Sequence, residues 1–448
     1  MDIYTDRIRR VRARMQENSI LLIKAAPPVI RNNDTYYPYR AHSDILYLTG
    51  VNEEELSLLI TQDAVYVFAR VRDAERERWT GFVKGHAFYQ QLFSALGDKN
   101  IFLHETKDFS KIFSDQILSK QILYFDFGID PALDAQILGV LQNARRFARR
   151  GVQVPPTITQ ASTILSECRL FKDAHDLLCM REAARISSEA HNKTIEFIES
   201  WRGNTLDEFC VKALIEHEFM KLGADRLAYP SIVAGGKNAT ILHYENTEGT
   251  APKGAFILID AGCEYKGYAS DITRTTVTGG KNFESALQKE LYALTLKAQT
   301  EAIRQTKAGS TLDSVHDAAV DVLARGLLEM GFFKSVPLRK KDEKVDTQTL
   351  ISVTSIDEIK ELEYYNLFYM HRTSHYLGLD VHDVGSYYHN GKSRALENGM
   401  VITVEPGLYF PEEYDFIPAE ARGIGIRIED DVLVTQEGNE VLTQACRK

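Results

Sequence analysis

The chain has 448 residues, of which 44% are hydrophobic and 26% charged, and it carries a formal net charge of -10 with a pI near 5.7. This is the balance of an ordinary globular protein. It excludes a chain-wide basic surface for nucleic acid, and the length favours two or three domains over one core. No apolar run reaches the roughly 18 residues of a membrane-spanning helix, so no membrane partner is expected. The five cysteines, Cys168, Cys179, Cys210, Cys263 and Cys446, form no CxxC pair. Neither a disulfide framework nor a thiolate zinc site is indicated, and a reducing cytoplasm fits them.

In chain order, the start MDIYTDRIRRVRARMQENS lacks the apolar centre of a secretion signal. Its arginines faintly suggest a mitochondrial presequence, but the pattern reads better as an amphipathic first helix carrying Ile8, Val11 and Met15. LLIKAAP, LYLTG, ELSLLIT, AVYVFAR and ILYFDFG then read as buried strands. With the helical stretches between them they predict a mixed α/β domain over residues 1–171. The pattern changes after RLFKD, where Asp173 can cap a long amphipathic helix running to about Ser200. Thr205 and Glu208 have capping-box spacing for a helix ending near Gly223. Two more helices are expected near 284–307 and 311–330, closed by Gly309 and Gly331. The second domain is placed at 172–448, with strands dominating after Phe256. Within it the charged segment 335–362 reads as a surface loop excursion with room for one short helix; a lid or subunit contact is the sharper alternative.

The unusual feature of the second domain is where its acids sit. Asp260 ends the apolar run FILID, and Asp271 opens the β-prone run DITRTTV. The intervening AGCEYKGYAS carries Lys266-Gly267, a pair suited to a hairpin turn that would bring both carboxylates to one face. Glu405 ends VITVE, and Glu429 lies inside GIGIRIEDDVLVT, read as one strand. Any one of these alone reads equally well as a salt-bridged core acid. Four together need cations, because buried anions are costly without partners.

A His-rich segment, MHRTSHYLGLDVHDVG, adds His371, His375 and His382. Leu377, Leu379 and Val381 alternate with Gly378, Asp380 and His382, so it reads as a strand with His382 and Asp380 on the face opposite the leucines. One imidazole with four carboxylates is an oxygen-rich set suited to manganese, cobalt, iron or zinc. It balances two divalent ions and leaves room for a bridging hydroxide as nucleophile.

The order Asp260, Asp271, His375, Glu405, Glu429 resembles the five-ligand signature of the pita-bread metallopeptidases, which include methionine aminopeptidase, prolidase and aminopeptidase P. LIDAGCEYKGYASDITRT, SHYLGLDVHDVG, TVEPGLY and GIGIRIEDD look most like the aminopeptidase P branch, and YYPYRAHSDILYLTGVNEEE resembles its amino domain. The likeness runs from about Tyr36 to Glu440. It implies an α/β amino domain followed by an α+β pita-bread catalytic domain. The implied activity is hydrolysis of the N-terminal Xaa-Pro bond of peptides through a metal-bridging hydroxide.

By the same resemblance Asp271 and Glu429 bridge two metal ions, manganese foremost. Asp260 completes one shell, and His375 with Glu405 the other. Glu405 serves as general base and then acid. His243 lies on the leaving-group side, and His382 steadies the tetrahedral intermediate. His371 lines the proline pocket, while Tyr387 and Arg427 are substrate or supporting contacts. Alternation places Arg427 on one strand with Glu429, where it can buttress that ligand. Trp79 and Asp34 look like contacts made across subunits of a homodimer or homotetramer; plain packing and a turn are the bland readings. The sequence departs from the branch at Ala161 and Ser162, where a Trp-Arg pair is expected, and this bears on substrate length or assembly. Two other readings stay open: a prolidase cutting only Xaa-Pro dipeptides, and a non-catalytic peptide-binding module. Retention of the five ligands with His243 and His382 argues against the module.

Overall fold

The opening amphipathic pattern forms the helix Ile3–Arg14, which buries Ile8 and Val11. The computed structural model describes residues 3–118, 120–280, 282–340 and 346–448. It divides into two units, Met1–Arg169 and Leu170–Lys448. No helix among the described residues is long and apolar enough to cross a membrane.

The amino-terminal unit is built on a six-stranded sheet. Its order is Ile101–Glu105, Val65–Ala69, Ser57–Ile60, Ser19–Lys24, Ile122–Tyr124 and Thr157–Thr159. The two central hairpin-like pairings are antiparallel and the outer ones parallel, so the sheet is mixed, as the sequence predicts. Ile20, Leu22, Leu59 and Phe68 pack against Phe113, Ile117, Ile137 and Leu141 of two helices. LYLTG is not a strand. It belongs to the helix Ser43–Thr49, whose residues are all buried and whose end is closed by Gly50 at φ 64, donating its N–H to the Leu46 carbonyl. A short run buried on every side has no periodicity to separate helix from strand; the left-handed glycine cap is what decides it. At the departure noted above, Ala161 is buried, and both the N–H and the Oγ of Ser162 donate to Asp126.

In the second unit Asp173 caps the helix Ala174–Ser200 with a reciprocal bond to Asp176. Ser285 and Thr311 do the same for Ala286–Gln305 and Leu312–Glu329. Ala174–Ser200 and Ala286–Gln305 pack on antiparallel strands, and Leu312–Glu329 packs on Ala286–Gln305, so helices and strands form the α+β arrangement that the sequence predicts. One three-stranded sheet runs Ile232–Gly235, Phe256–Asp260, Thr273–Val277. A hairpin pairs Gly407–Phe410 with Ile424–Arg427, and Val401–Val404 pairs with Asp430–Val434. The main core gathers residues such as Leu323, Phe333, Phe368, Ile402 and Ile426 between helices and strands.

Four local expectations are corrected. Thr205 lies in the strand Thr205–Asp207 and not in a capping box; the helix starts at Glu208, whose carboxylate accepts from the N–H groups of Gly235 and Gly249. The His-rich segment is a compact loop: Gly378 donates to the Asp380 carbonyl and Asp383 to that of Tyr376, with a single bridge from Tyr376 to Ile402. Its alternating leucines are loop packing, with Leu377 and Leu379 buried. GIGIRIEDDVLVT is two strands, Ile424–Arg427 and Asp430–Val434, with Glu429 at the break. The segment 335–362 pairs Val336–Leu338 antiparallel with Asp346–Ile351 and then forms the short helix Ile356–Glu361. Residues 341–345 of that excursion lie outside the described residues.

Candidate metal centre

Sheet register brings the acids together. Asp260 closes its strand opposite Thr273, and Asp271 lies just before that strand. The chain between them turns at Lys266 and Gly267, with φ of 51 and 83, the left-handed pair that a tight hairpin requires. Glu429 N–H donates to the Thr273 carbonyl at 3.0 Å, and Thr273 Oγ1 donates to Glu429 Oε2 at 2.6 Å. From the His loop, His375 Nε2 lies 3.5 Å from Asp271 Oδ2 and 3.6 Å from Glu405 Oε1. Its Nδ1 donates to the Tyr376 carbonyl at 3.0 Å, which leaves Nε2 facing the carboxylates. Donor atoms of Asp271, His375 and Glu429 fall within 4.8 Å of one another, a spacing that one metal ion can span.

The electrostatics point the same way. Burial, with repulsion from Asp271 and Asp260, pushes the Glu405 carboxyl up to about 8 even though His375 and Arg427 oppose it. Burial and the neighbouring acids push Glu429 well above the usual range. Asp260 is raised by burial against the pull of Arg427. Burial disfavours charge on His375, but its contacts with Asp271 and Glu405 win and raise it to about 9. Tyr229 sharpens the point. Its oxygen is 2.7 Å from Asp260 Oδ1 and 2.5 Å from Asp271 Oδ1, yet a phenol has one proton to give. These acids are arranged around more positive charge than the side chains supply, and hard oxygen donors with one imidazole fit divalent ions.

Arg427 departs from its expected role. Its Nη2 donates to Asp260 Oδ2 at 2.6 Å, and it reaches Glu429 only through Nε to Thr273 Oγ1 at 3.2 Å. The strand ends at Arg427, so alternation does not carry through to Glu429. Arg427 Nη1 also donates to the Tyr409 hydroxyl at 3.0 Å, and Tyr409 in turn meets His371 Nε2 at 2.8 Å. His371 Nδ1 lies 3.6 Å from Glu405 Oε2. The ring of His382 stands edge-on to His375 with centroids 4.5 Å apart. His243, His371, His382 and Tyr387 line the same cavity as the five metal-binding candidates, a space of about 640 Å³ bounded also by Leu242 and Val381. Trp79 and Asp34 belong to the amino-terminal unit: Trp79 is 87% exposed, and Asp34 sits in an exposed turn.

Sequence reasoning missed Tyr229, Thr273, Tyr409 and Asp431. The last accepts the Asp271 N–H at 3.2 Å from within the sheet. Of these only Asp431 left a signal, as half of an acidic doublet opening the buried run DDVLV.

A cluster of buried carboxylates and one imidazole beside an open cavity is the centre of a metal-dependent hydrolase. The profile of metallopeptidase family M24 matches residues 178–436, and that of the aminopeptidase P N-terminal domain matches residues 4–124. The chain is 36% identical to the Xaa-Pro aminopeptidase of Escherichia coli strain K12, over 97% of this chain and 92% of that protein. Among solved structures, Pseudomonas aeruginosa aminopeptidase PepP superposes with a TM-score of 0.88 at 37% identity, covering 99% of this chain and 95% of that one. A zinc-substituted aminopeptidase P from Escherichia coli in complex with product gives 0.88 at 34% identity, covering 100% and 95%. The chain belongs to metallopeptidase family M24. It is a metal-dependent aminopeptidase that uses divalent ions.

Proposed function

We propose that this enzyme removes the N-terminal residue from peptides whose second residue is proline. The observation that carries the reading is the likeness of both units, over nearly the whole chain, to Xaa-Pro aminopeptidases. In this reading the amino domain ends at Phe171 and the catalytic domain runs from 172 to 448. Asp260, Asp271, His375, Glu405 and Glu429 hold two divalent ions, manganese first among manganese, cobalt, zinc and iron. When bound, such ions polarise the scissile carbonyl and lower the pKa of water.

The chain's own side chains do the rest. Glu405 takes a proton and hands it on to the departing nitrogen; it lies on the cavity between His375 and His371, within reach of both a bound water and the scissile bond. His382 is kept below its ordinary pKa by burial and by His375, so it is neutral at pH 7 and can donate a hydrogen bond to the developing oxyanion. His243 faces the leaving group. Proline's nitrogen has no N–H in the peptide bond, so recognition falls to its ring, which His371 and Tyr387 meet beside Leu242 and Val381. Arg427 steadies Asp260. Trp79 and Asp34 are contacts made across subunits in a cytoplasmic homodimer or homotetramer.

The test compares Ala-Pro-Ala with Ala-Pro, using protein stripped of metal and reconstituted with manganese. Release of alanine from the tripeptide supports the reading. Cleavage of the dipeptide alone would establish a prolidase, and inertness on both would revive a binding module.

A further inference from the structure

Lys172 and Asp383 form an ion pair at 2.9 Å with side chains only 2% and 1% exposed. Neither belongs to the cluster of acids, and a fully buried pair of this kind is weak evidence for stability, since desolvation offsets its attraction. Its place in the fold suggests what it does. Lys172 directly precedes the helix cap Asp173, and its N–H donates to the Gly399 carbonyl at 2.8 Å, so the ammonium is carried on a fixed base. Asp383 closes the His loop: its N–H donates to the Tyr376 carbonyl at 2.9 Å. That same carbonyl accepts from His375 Nδ1 at 3.0 Å. The carboxylate also leaves no room at Gly378, where a Cβ would meet Asp383 Oδ2 at 2.1 Å and Lys172 Cε at 3.0 Å. The Gly378 carbonyl accepts from the N–H of Ala269, in the hairpin that joins Asp260 to Asp271.

We propose that Lys172 and Asp383 are positioning residues for the metal centre. Their ion pair clamps the 375–383 loop, so that the Tyr376 carbonyl holds the Nδ1 proton of His375 and Nε2 is presented to Asp271 and Glu405. The inference rests on the metal reading of that cluster and adds two residues to it.

The test uses full-length protein with cobalt as the probe. Lys172→Met, Asp383→Leu, the double variant and Lys172→Arg are compared with the parent by visible absorption and by calorimetric titration. Folding is followed by circular dichroism and by the thermal midpoint of the metal-free form. Partners behind metal-bound imidazoles are worth about 10- to 100-fold in affinity, and a loss of that size, with an altered cobalt spectrum, is expected in each single variant. Lys172→Arg should keep both properties near those of the parent. The double variant pairs two apolar groups, so it should recover the thermal midpoint without recovering cobalt affinity. A single or double variant that folds and binds cobalt with the parental affinity and spectrum would overturn the proposal, and so would a double variant that regains affinity together with stability. Failure of the parent itself to bind cobalt would instead bring down the metal reading, and the proposal with it.

Discussion

Arg427 and Asp260 meet through Nη2 and Oδ2 at 2.6 Å, and the guanidinium has two further edges in use, on Tyr409 and on Thr273. One buried cation therefore ties a metal-binding candidate to the hydroxyl that holds His371 and, through Thr273, to Glu429. Lysine offers one point of charge where this geometry uses a planar fork. Arg427→Lys is accordingly expected to lower kcat/KM on an Xaa-Pro tripeptide by about 10- to 100-fold, and Arg427→Met by more. Steady-state kinetics at saturating manganese checks this; a lysine variant matching the parent would refute the fork.

Glu405 stands between His375 and His371, 3.6 Å from each. Glu405→Ala should abolish turnover, with product release at the level of the buffer control, while the tripeptide still binds. Stopped assays with a mass-spectrometric readout measure the first, and competition with a slow substrate the second. Parental activity in this variant would refute its role in moving the proton.

Metal binding should release protons at pH 7. Ligands must give up their protons to bind, and the metal-free cluster holds them there, with Glu405 pushed up to about 8 and His375 to about 9. Apparent manganese affinity should therefore rise from pH 6 through pH 8. Titration calorimetry in two buffers of different ionisation enthalpy reads the proton count directly. Because the candidate ligands come together only on folding, saturating manganese should also raise the thermal midpoint, by an amount worth about 2.7 kcal/mol at 100 times Kd.

His191 sets an acid limit on stability. Its Nε2 donates to the Ala261 carbonyl at 2.8 Å, Nδ1 has no hydrogen-bond partner among the described residues, and burial lowers its pKa to about 3. The unfolded chain takes up this proton below pH 6.5 and the folded chain does not. Its cost to stability is therefore absent above pH 6.5 and grows by about 1.4 kcal/mol per unit down to about pH 3. His316, lowered to about 4 by burial and by Arg372, adds a second such group. Urea melts of the metal-free protein between pH 7 and 4 should show this loss. His191→Gln should start lower, having lost the fit at Ala261, but decline less steeply.

What the sequence made legible is what local chemistry decides. The cap at Asp173 and the Lys266-Gly267 turn need only their own neighbours, and both are where the sequence puts them. Four of the five metal-binding candidates are visible because acids inside apolar runs are conspicuous, and the family resemblance singles out His375 among three histidines. The supports are not, because Tyr229, Thr273 and Tyr409 meet their partners through sheet register and loop approach, which spacing along the chain does not encode. Periodicity misled where it had a second cause. In the His loop, buried Leu377 and Leu379 imitate a strand, and in Ser43–Thr49 burial all round erases the helical period. Arg427 was assigned the wrong partner for a related reason: alternation was extended across a strand break.

The five candidates come from widely spaced points along the chain, from Asp260 to Glu429, and no two neighbouring residues make half a centre. A growing polypeptide on the ribosome consequently lacks the full set of candidates until Glu429 has been made. For a peptidase this is a safeguard in time. A product that ends upstream of that residue would lack one of the five candidates, and is expected to have lost its cleaving power.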